Sequence, residues 1–307
     1  MTITVHHDRA LPPDHLPAVR ALVERARVHD GVAPFSDDLW NELTGARTRT
    51  VLRAVSDRDE LVGLAFTADQ GARHAAEALV DPGHRGHGYG GTLVAELLGG
   101  IDGELWLWAH GDHPAARALA LRHHLDRARE LLQLRRPLGA EAPALPDPPL
   151  PAGVEVRSFR PGQDEAAWLA VNNAAFSWHP EQGRMTTADI RAAESEPWFD
   201  PAGFFLAFAG DDLVGFHWTK VHATDPSPPP GTAESGPIGE VYVVGVSPEA
   251  HGGGIGSALT AIGLRHLAAL GLDAVMLYVE GDNDAALKVY RRLGFHTLQA
   301  HVAYRRP

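Results

Sequence analysis

Positions 252 to 256 carry four glycines, Gly252, Gly253, Gly254 and Gly256, within the stretch SPEAHGGGIGSAL. An apolar run from Val241 to Val246 precedes them, and Ala258 to Leu264 follows with apolar residues at helical spacing. The pattern predicts a strand, a bare turn and a helix. Glycine permits a left-handed turn and lets a ligand approach the main chain. A helix start offers unpaired N–H groups and the positive end of its dipole. Together these can hold an anion, usually phosphate. A strand-to-helix turn without a ligand explains the same residues. A dinucleotide site fits less well: Gly252-x-Gly254-x-x-Ser257 lacks the closing Gly or Ala, and no early βαβ unit surrounds it. A nucleotide-phosphate loop would also need a lysine that is missing.

The elements that must position such a turn occur twice. DPGHRGHGYGGTL (81–93) matches SPEAHGGGIGSAL at an offset of 166 residues. LWLWAHGDHPAARALALRHHL (105–125) matches VMLYVEGDNDAALKVYRRLGF (275–295) at an offset of 170, and both run on to an Arg-Arg-Pro, 135–137 and 305–307. The Pro/Ala-rich segment between the copies cannot hold a regular element. We read an N-terminal domain over 1–138, a linker over 139–152 and a C-terminal domain over 153–307. In each copy a strand and one or two helices come first. A strand pair, a strand, the glycine turn, a long helix, a strand, a short helix and a last strand follow. The expected class is α/β, an α+β arrangement around one mixed sheet per copy. The segment ATDPSPPPGTAESGPI (223–238) is a loop inserted in the second copy, either facing a substrate or idle on the surface.

Composition narrows the function classes. A 44% hydrophobic share and the lack of any long apolar run suit a soluble globule with no membrane partner. The N-terminus has no basic-then-apolar signal pattern, so we expect a cytoplasmic chain, and a monomer. With no cysteine there are no disulfides, thiolate metal sites or cysteine nucleophile. The formal charge of −12 argues against nucleic acid as the main partner. The 18 histidines are scattered without metal-ligand spacing, and no metal is expected.

The turn in the first copy, Arg85-x-x-Gly88-x-Gly90 after a strand, resembles the acyl-CoA-binding motif of the GNAT family of N-acetyltransferases. The second copy fits at Gly254 and Gly256 but has His251 where the family has Arg or Gln. GDNDAALKVYRRLGF resembles the family's other signature, an Asn and then a helix ending in Tyr-x-x-x-Gly-Phe. The resemblance implies two tandem GNAT domains and acetyl-CoA as co-substrate. Val244, Gly245 and Val246 would pair their backbone with the pantetheine arm. His251, Gly252, Gly253, Gly254, Ile255, Gly256 and Ser257 would hold the pyrophosphate. Asn283, Asp284, Ala285, Ala286, Leu287 and Lys288 would complete the coenzyme site. Ala78, Leu79, Val80, Arg85, Gly86, Gly88 and Gly90 are the first-copy counterparts. Ordinary strand, turn and helix packing would also account for these residues. Further segments, among them DGVAPFSDDLWNEL, VNNAAFSWHPEQGRMT, GFHWTKVH and GEVYVVGVSP, resemble a tandem branch of the family. Its small-molecule acceptor is cysteinyl-glucosaminyl-inositol, acetylated on the cysteinyl amine.

Acetyl transfer to an amine needs a neutral amine, a polarised thioester and a protonated leaving thiolate. A cysteinyl α-amine has a pKa of about 8, so a weak base suffices. Glu240, at a strand start before the turn, is either that base, an amine-binding carboxylate, or a solvated residue. Tyr290 is either the acid for the thiolate or a core aromatic. By resemblance, Glu181, Lys220, Tyr278 and Glu240 would contact the acceptor, with Asp37 supplied by the first domain. In the first copy Glu240 corresponds to His74 and Tyr290 to Ala120, which leaves catalysis to the second copy, by direct attack in a ternary complex. The rival readings are a tandem GNAT acting on an aminoglycoside or peptide N-terminus, and a non-catalytic acetyl-CoA sensor.

Overall fold

The structure is a computed structural model describing residues 4–44, 50–55, 60–70, 73–139, 142–177, 182–225 and 236–306. The first half runs β1 (Thr4–Asp8), α1 (Leu16–Asp30), α2 (Asp37–Thr44), β2 (Thr50–Val55), β3 (Leu61–Asp69), β4 (His74–Val80), α3 (Tyr89–Gly100), β5 (Leu105–Ala109), α4 (Pro114–Arg122) and β6 (Asp126–Pro137). The second runs β7 (Val154–Ser158), α5 (Glu165–Ala175), α6 (Thr187–Glu194), β8 (Phe204–Ala209), β9 (Asp212–His222), β10 (Ile238–Val246), α7 (Ile255–Ala269), β11 (Ala274–Glu280), α8 (Asp284–Arg292) and β12 (His296–Arg305). The succession of strands and helices is the same in both.

The strands of the described residues belong to one mixed sheet, in the order β1-β2-β3-β4-β5-β12-β6-β11-β10-β9-β8-β7. Among the described residues only β4–β5 and β10–β11 pair in parallel. Helices cover both faces, so β2 and β3 are apolar almost throughout instead of alternating. Successive residues of β3 point alternately to the α1/α2 side, as Leu64 and Phe66 do, and to the α3 side, as Ala65 does. In the second half an aromatic core of Trp168, Phe204, Phe216 and Trp218 fills the space under α5.

The last strand of each half crosses the midline. Strand β6, from the first half, lies between β12 and β11; β12, from the second, lies between β5 and β6. Ion pairs tie the exchange: Arg129 with Glu280, and Arg135 with Asp225. The second arginine of each Arg-Arg-Pro anchors its strand to backbone carbonyls. Arg136 donates to Leu293 O at 2.6 Å and Pro143 O at 2.7 Å. Arg306 donates to Leu98 O at 2.8 Å and Gly103 O at 3.0 Å. Among the described residues no helix is long and apolar enough to cross a membrane.

Candidate active site

The parallel ladder between β10 and β11 holds only at Gly239↔Val275 and Glu240↔Met276. Beyond Glu240 the two strands part. β10 stays paired with β9 as far as Val246↔Gly215, and β11 stays paired with β6 as far as Glu280↔Leu131. The edge of β10 that faces the gap therefore presents backbone groups that an extended ligand can pair with. A bulge between Val241 and Val243 turns Tyr242 outward at the mouth of the gap. Gly245 lies tight against β9: a Cβ there would lie 2.6 Å from the Phe216 ring.

Glu240 stands at the apex of the gap, 7% exposed. Its carboxylate accepts a hydrogen bond from His222 Nε2 at 2.7 Å. Lys220, its register partner on β9, points to the same side. The Lys220 ammonium lies 4.5 Å from the Trp198 ring centroid and 5.2 Å from that of Tyr242, held between the two rings by cation–π attraction. Two positions past Met276 on β11, Tyr278 is 39% exposed and its hydroxyl accepts from Gln133 Nε2 at 3.0 Å. The pattern thus gathers Glu240, Lys220 and Tyr278 around one opening. Glu181 lies outside the described residues, as does the side chain of Asp37.

The glycine turn closes the far end of the gap. Gly252 and Gly254 both take positive φ, 85° and 83°, and Gly254 is the N-cap of α7. The first N–H groups of α7 thus point out of a turn that carries no side chain at its bends. Gly88 caps α3 in the same way, with φ 91°. His251 and Arg85 do one structural job: His251 Nε2 donates to Val246 O at 3.0 Å, and Arg85 Nε donates to Val80 O at 3.2 Å, each tying the turn to the last residue of its strand. The Arg85 fork is further engaged by both oxygens of Asp30 at 2.7 Å.

Asn283 caps α8, its side chain accepting from Ala286 N at 3.1 Å. Within 283–288 the side chain of Leu287 is buried in the core, whereas Asp284, Ala285 and Lys288 are exposed. Tyr290 is partly buried, edge-on to Phe295 with ring centroids 5.7 Å apart. Desolvation pushes its phenol up to about 12.

The first half differs at the matching place. There the β4–β5 ladder continues past His74 to Glu77↔Trp108. Glu77 is 1% exposed; it accepts from His110 Nε2 at 2.7 Å and from the Ser36 backbone N–H at 3.2 Å. His110 Nδ1 in turn lies 3.0 Å from His301 Nδ1 on β12. Burial and His110 push His301 down to about 3, so its ring is neutral. Protein side chains fill the part of the first notch that stands open in the second. No group of three metal-ligating side chains occurs among the described residues.

Sequence reasoning passed over His222, Gln133, Glu77, His110 and His301. A signal existed only for His222, which a strand's period of two places on the same face as Lys220.

Comparison with known proteins gives a family. The Acetyltransferase (GNAT) family pattern matches residues 168–295. The mycothiol acetyltransferase of Frankia alni is 51% identical over 305 residues, covering 95% of this chain and 90% of its own. That of Streptomyces coelicolor is 49% identical, covering 96% and 93%. A solved tandem GNAT protein from the clavulanic acid biosynthesis pathway superposes with a TM-score of 0.68 at 17% identity, covering 99% of this chain and 98% of that one, which speaks to the fold alone.

Proposed function

The chain belongs to the mycothiol acetyltransferases of the GNAT family, and from that premise we propose that it moves the acetyl group of acetyl-CoA onto the cysteinyl amine of cysteinyl-glucosaminyl-inositol, releasing mycothiol and coenzyme A. The observation that carries this reading is the opening of the β10–β11 ladder immediately past Glu240, with the α7 N-terminus at its other end. The open edge of β10 at Val244–Val246 suits the amide-bearing pantetheine arm, and the turn at 251–257 suits the pyrophosphate. On this reading the thioester lies at the apex, between Glu240 and Tyr278.

Glu240 takes one proton from the attacking amine, directly or through a water. The amine nitrogen forms the new bond to the acetyl carbon, and the carbon–sulfur bond breaks. Tyr290 hands its phenolic proton to the departing thiolate and is reprotonated from solvent. The chain contains no cysteine, so no thioester on the protein intervenes and the transfer is direct. His222, hydrogen-bonded to Glu240, holds the carboxylate in place. Lys220, Tyr278, Glu181 and Asp37 contact the acceptor. The division at 1–138, 139–152 and 153–307 assigns catalysis to the second repeat. The first has His74 and Ala120 at the positions of Glu240 and Tyr290; its Ala78–Val80 and Arg85–Gly90 keep the form of a coenzyme site without the chemistry. The chain acts as a monomer in the cytoplasm.

The test follows coenzyme A release from acetyl-CoA and cysteinyl-glucosaminyl-inositol. Glu240→Gln and Tyr290→Phe are each expected to lower kcat by ~10²–10⁴-fold, and His74→Ala to leave it unchanged. A wild-type protein that binds acetyl-CoA but does not acetylate this acceptor would overturn the reading.

A further inference from the structure

The two repeats provide a comparison that neither offers alone. At the offset of 170 residues Tyr278 corresponds to Trp108, and Gln133 corresponds to Ala303. The sheet pairs these same positions across the exchanged strands: Tyr278↔Gln133 in one half and Trp108↔Ala303 in the other. Where β11 offers a phenol, the incoming strand faces it with an amide. Where β5 offers an indole, the incoming strand faces it with a methyl group.

The amide is not a surface accident. Gln133 is 1% exposed, and its Nε2 donates to Tyr278 Oη at 3.0 Å and to Met276 Sδ at 3.4 Å. Its Oε1 has no partner among the described residues, as is also true of Oε1 of Gln299, which faces it from β12. A buried amide left half-satisfied is costly, and an apolar side chain of the same shape would fill the position without that cost. Here the amide fixes a ring that is 39% exposed and stands two residues from Met276, the register partner of Glu240.

We propose that Gln133, carried into the second repeat's site by the first repeat's last strand, is a positioning residue that orients Tyr278 toward the hydroxyl-rich part of the acceptor. This rests on the functional reading above. Gln133 acts through Tyr278 and not on the coenzyme, so its loss falls on one substrate only.

The test uses the full chain. Gln133→Met keeps the shape and removes the amide; Gln133→Ala installs the other repeat's residue in case methionine does not pack. Each is expected to raise the KM for cysteinyl-glucosaminyl-inositol about tenfold, the size of one net hydrogen bond, with the KM for acetyl-CoA unchanged. Cysteine amide, which has no hydroxyls, should be acetylated at the wild-type rate. Combining Gln133→Met with Tyr278→Phe should cost no more than Tyr278→Phe alone. Additive losses in the double variant, or equal losses for both acceptors, would reject the role. Wild-type protein inert toward cysteinyl-glucosaminyl-inositol would reject the functional reading and the proposal together, whereas wild-type turnover with unchanged variant ratios would reject the proposal alone.

Discussion

Tyr290 is the residue whose proposed duty and environment bear most directly on each other. Burial holds its phenol protonated up to about pH 12, so the acid form is present in every molecule at neutral pH and is restored after each turnover. The same shift has a thermodynamic consequence. The unfolded phenol ionises near 10, whereas the folded one resists until about 12. Between these values the folded chain binds more protons than the unfolded one, so stability falls as pH rises through that window. Below pH 10 the contribution is fully present. The difference in unfolding free energy between wild type and Tyr290→Phe should therefore be flat from pH 7 to 9 and shrink by at most about 3 kcal/mol from pH 10 to 12. Urea unfolding of both proteins at pH 9 and pH 11.5 checks it, and equal differences at the two values would show that the phenol is not held in this way. Glu240 lies at the same scale but is held by geometry: the His222 hydrogen bond at 2.7 Å fixes where its oxygens point.

At the scale of elements, the seating of α7 sets where the glycine turn sits, and that seating depends on one close approach. His217 on β9 is fully buried, and its Nδ1–H donates to Leu259 O of α7 at 2.8 Å. A Cβ on Gly263 would lie 2.1 Å from the His217 ring. Gly263→Ala must therefore lift the helix or turn the ring, at about 1–3 kcal/mol. The expected result is a lower urea midpoint and a raised KM for acetyl-CoA, with part of both recovered by His217→Ala in the same chain. An unchanged midpoint would show that the helix seat is loose. Much of this level was legible in the chain. The strand, turn and helix around 241–264 follow from periodicity and glycine, and each has its twin near 75–100. The gap itself was not legible, because it arises where two parallel strands part. No residue pattern in GEVYVVGV marks Glu240 as the last paired position. Gln133 was equally hidden: within LLQLRRP a lone glutamine has the appearance of a solvated strand residue, and only its neighbour from the other half shows that it is buried.

The exchange of β6 and β12 makes the molecule one cooperative object despite its two repeats. The internal likeness at offsets of 166 and 170 residues marked two units of the same kind, yet a repeat reveals what each unit contains and not which unit its last strand joins. Strand β11 pairs with β6 along its whole length, from Ala274↔Pro137 to Glu280↔Leu131. A chain of residues 153–307 alone would leave that edge of β11 bare, and would hold β12 without the β5 and β6 neighbours it has here. It would also lack Gln133 beside Tyr278 and Arg136 beneath the end of α8. An isolated first half faces the same deficit at β5. Fragments 1–138 and 139–307 made separately should each be inactive and prone to associate through their open strand edges. Mixed at equal concentration, they should recover acetyl transfer with a concentration-dependent midpoint, because each supplies the strand the other lacks. In the intact chain, heating should give one transition, with the loss of sheet signal and the loss of coenzyme binding coinciding. Two separated transitions, or full activity in fragment 139–307 alone, would show that the halves are energetically independent and that the strand exchange is a matter of connectivity only.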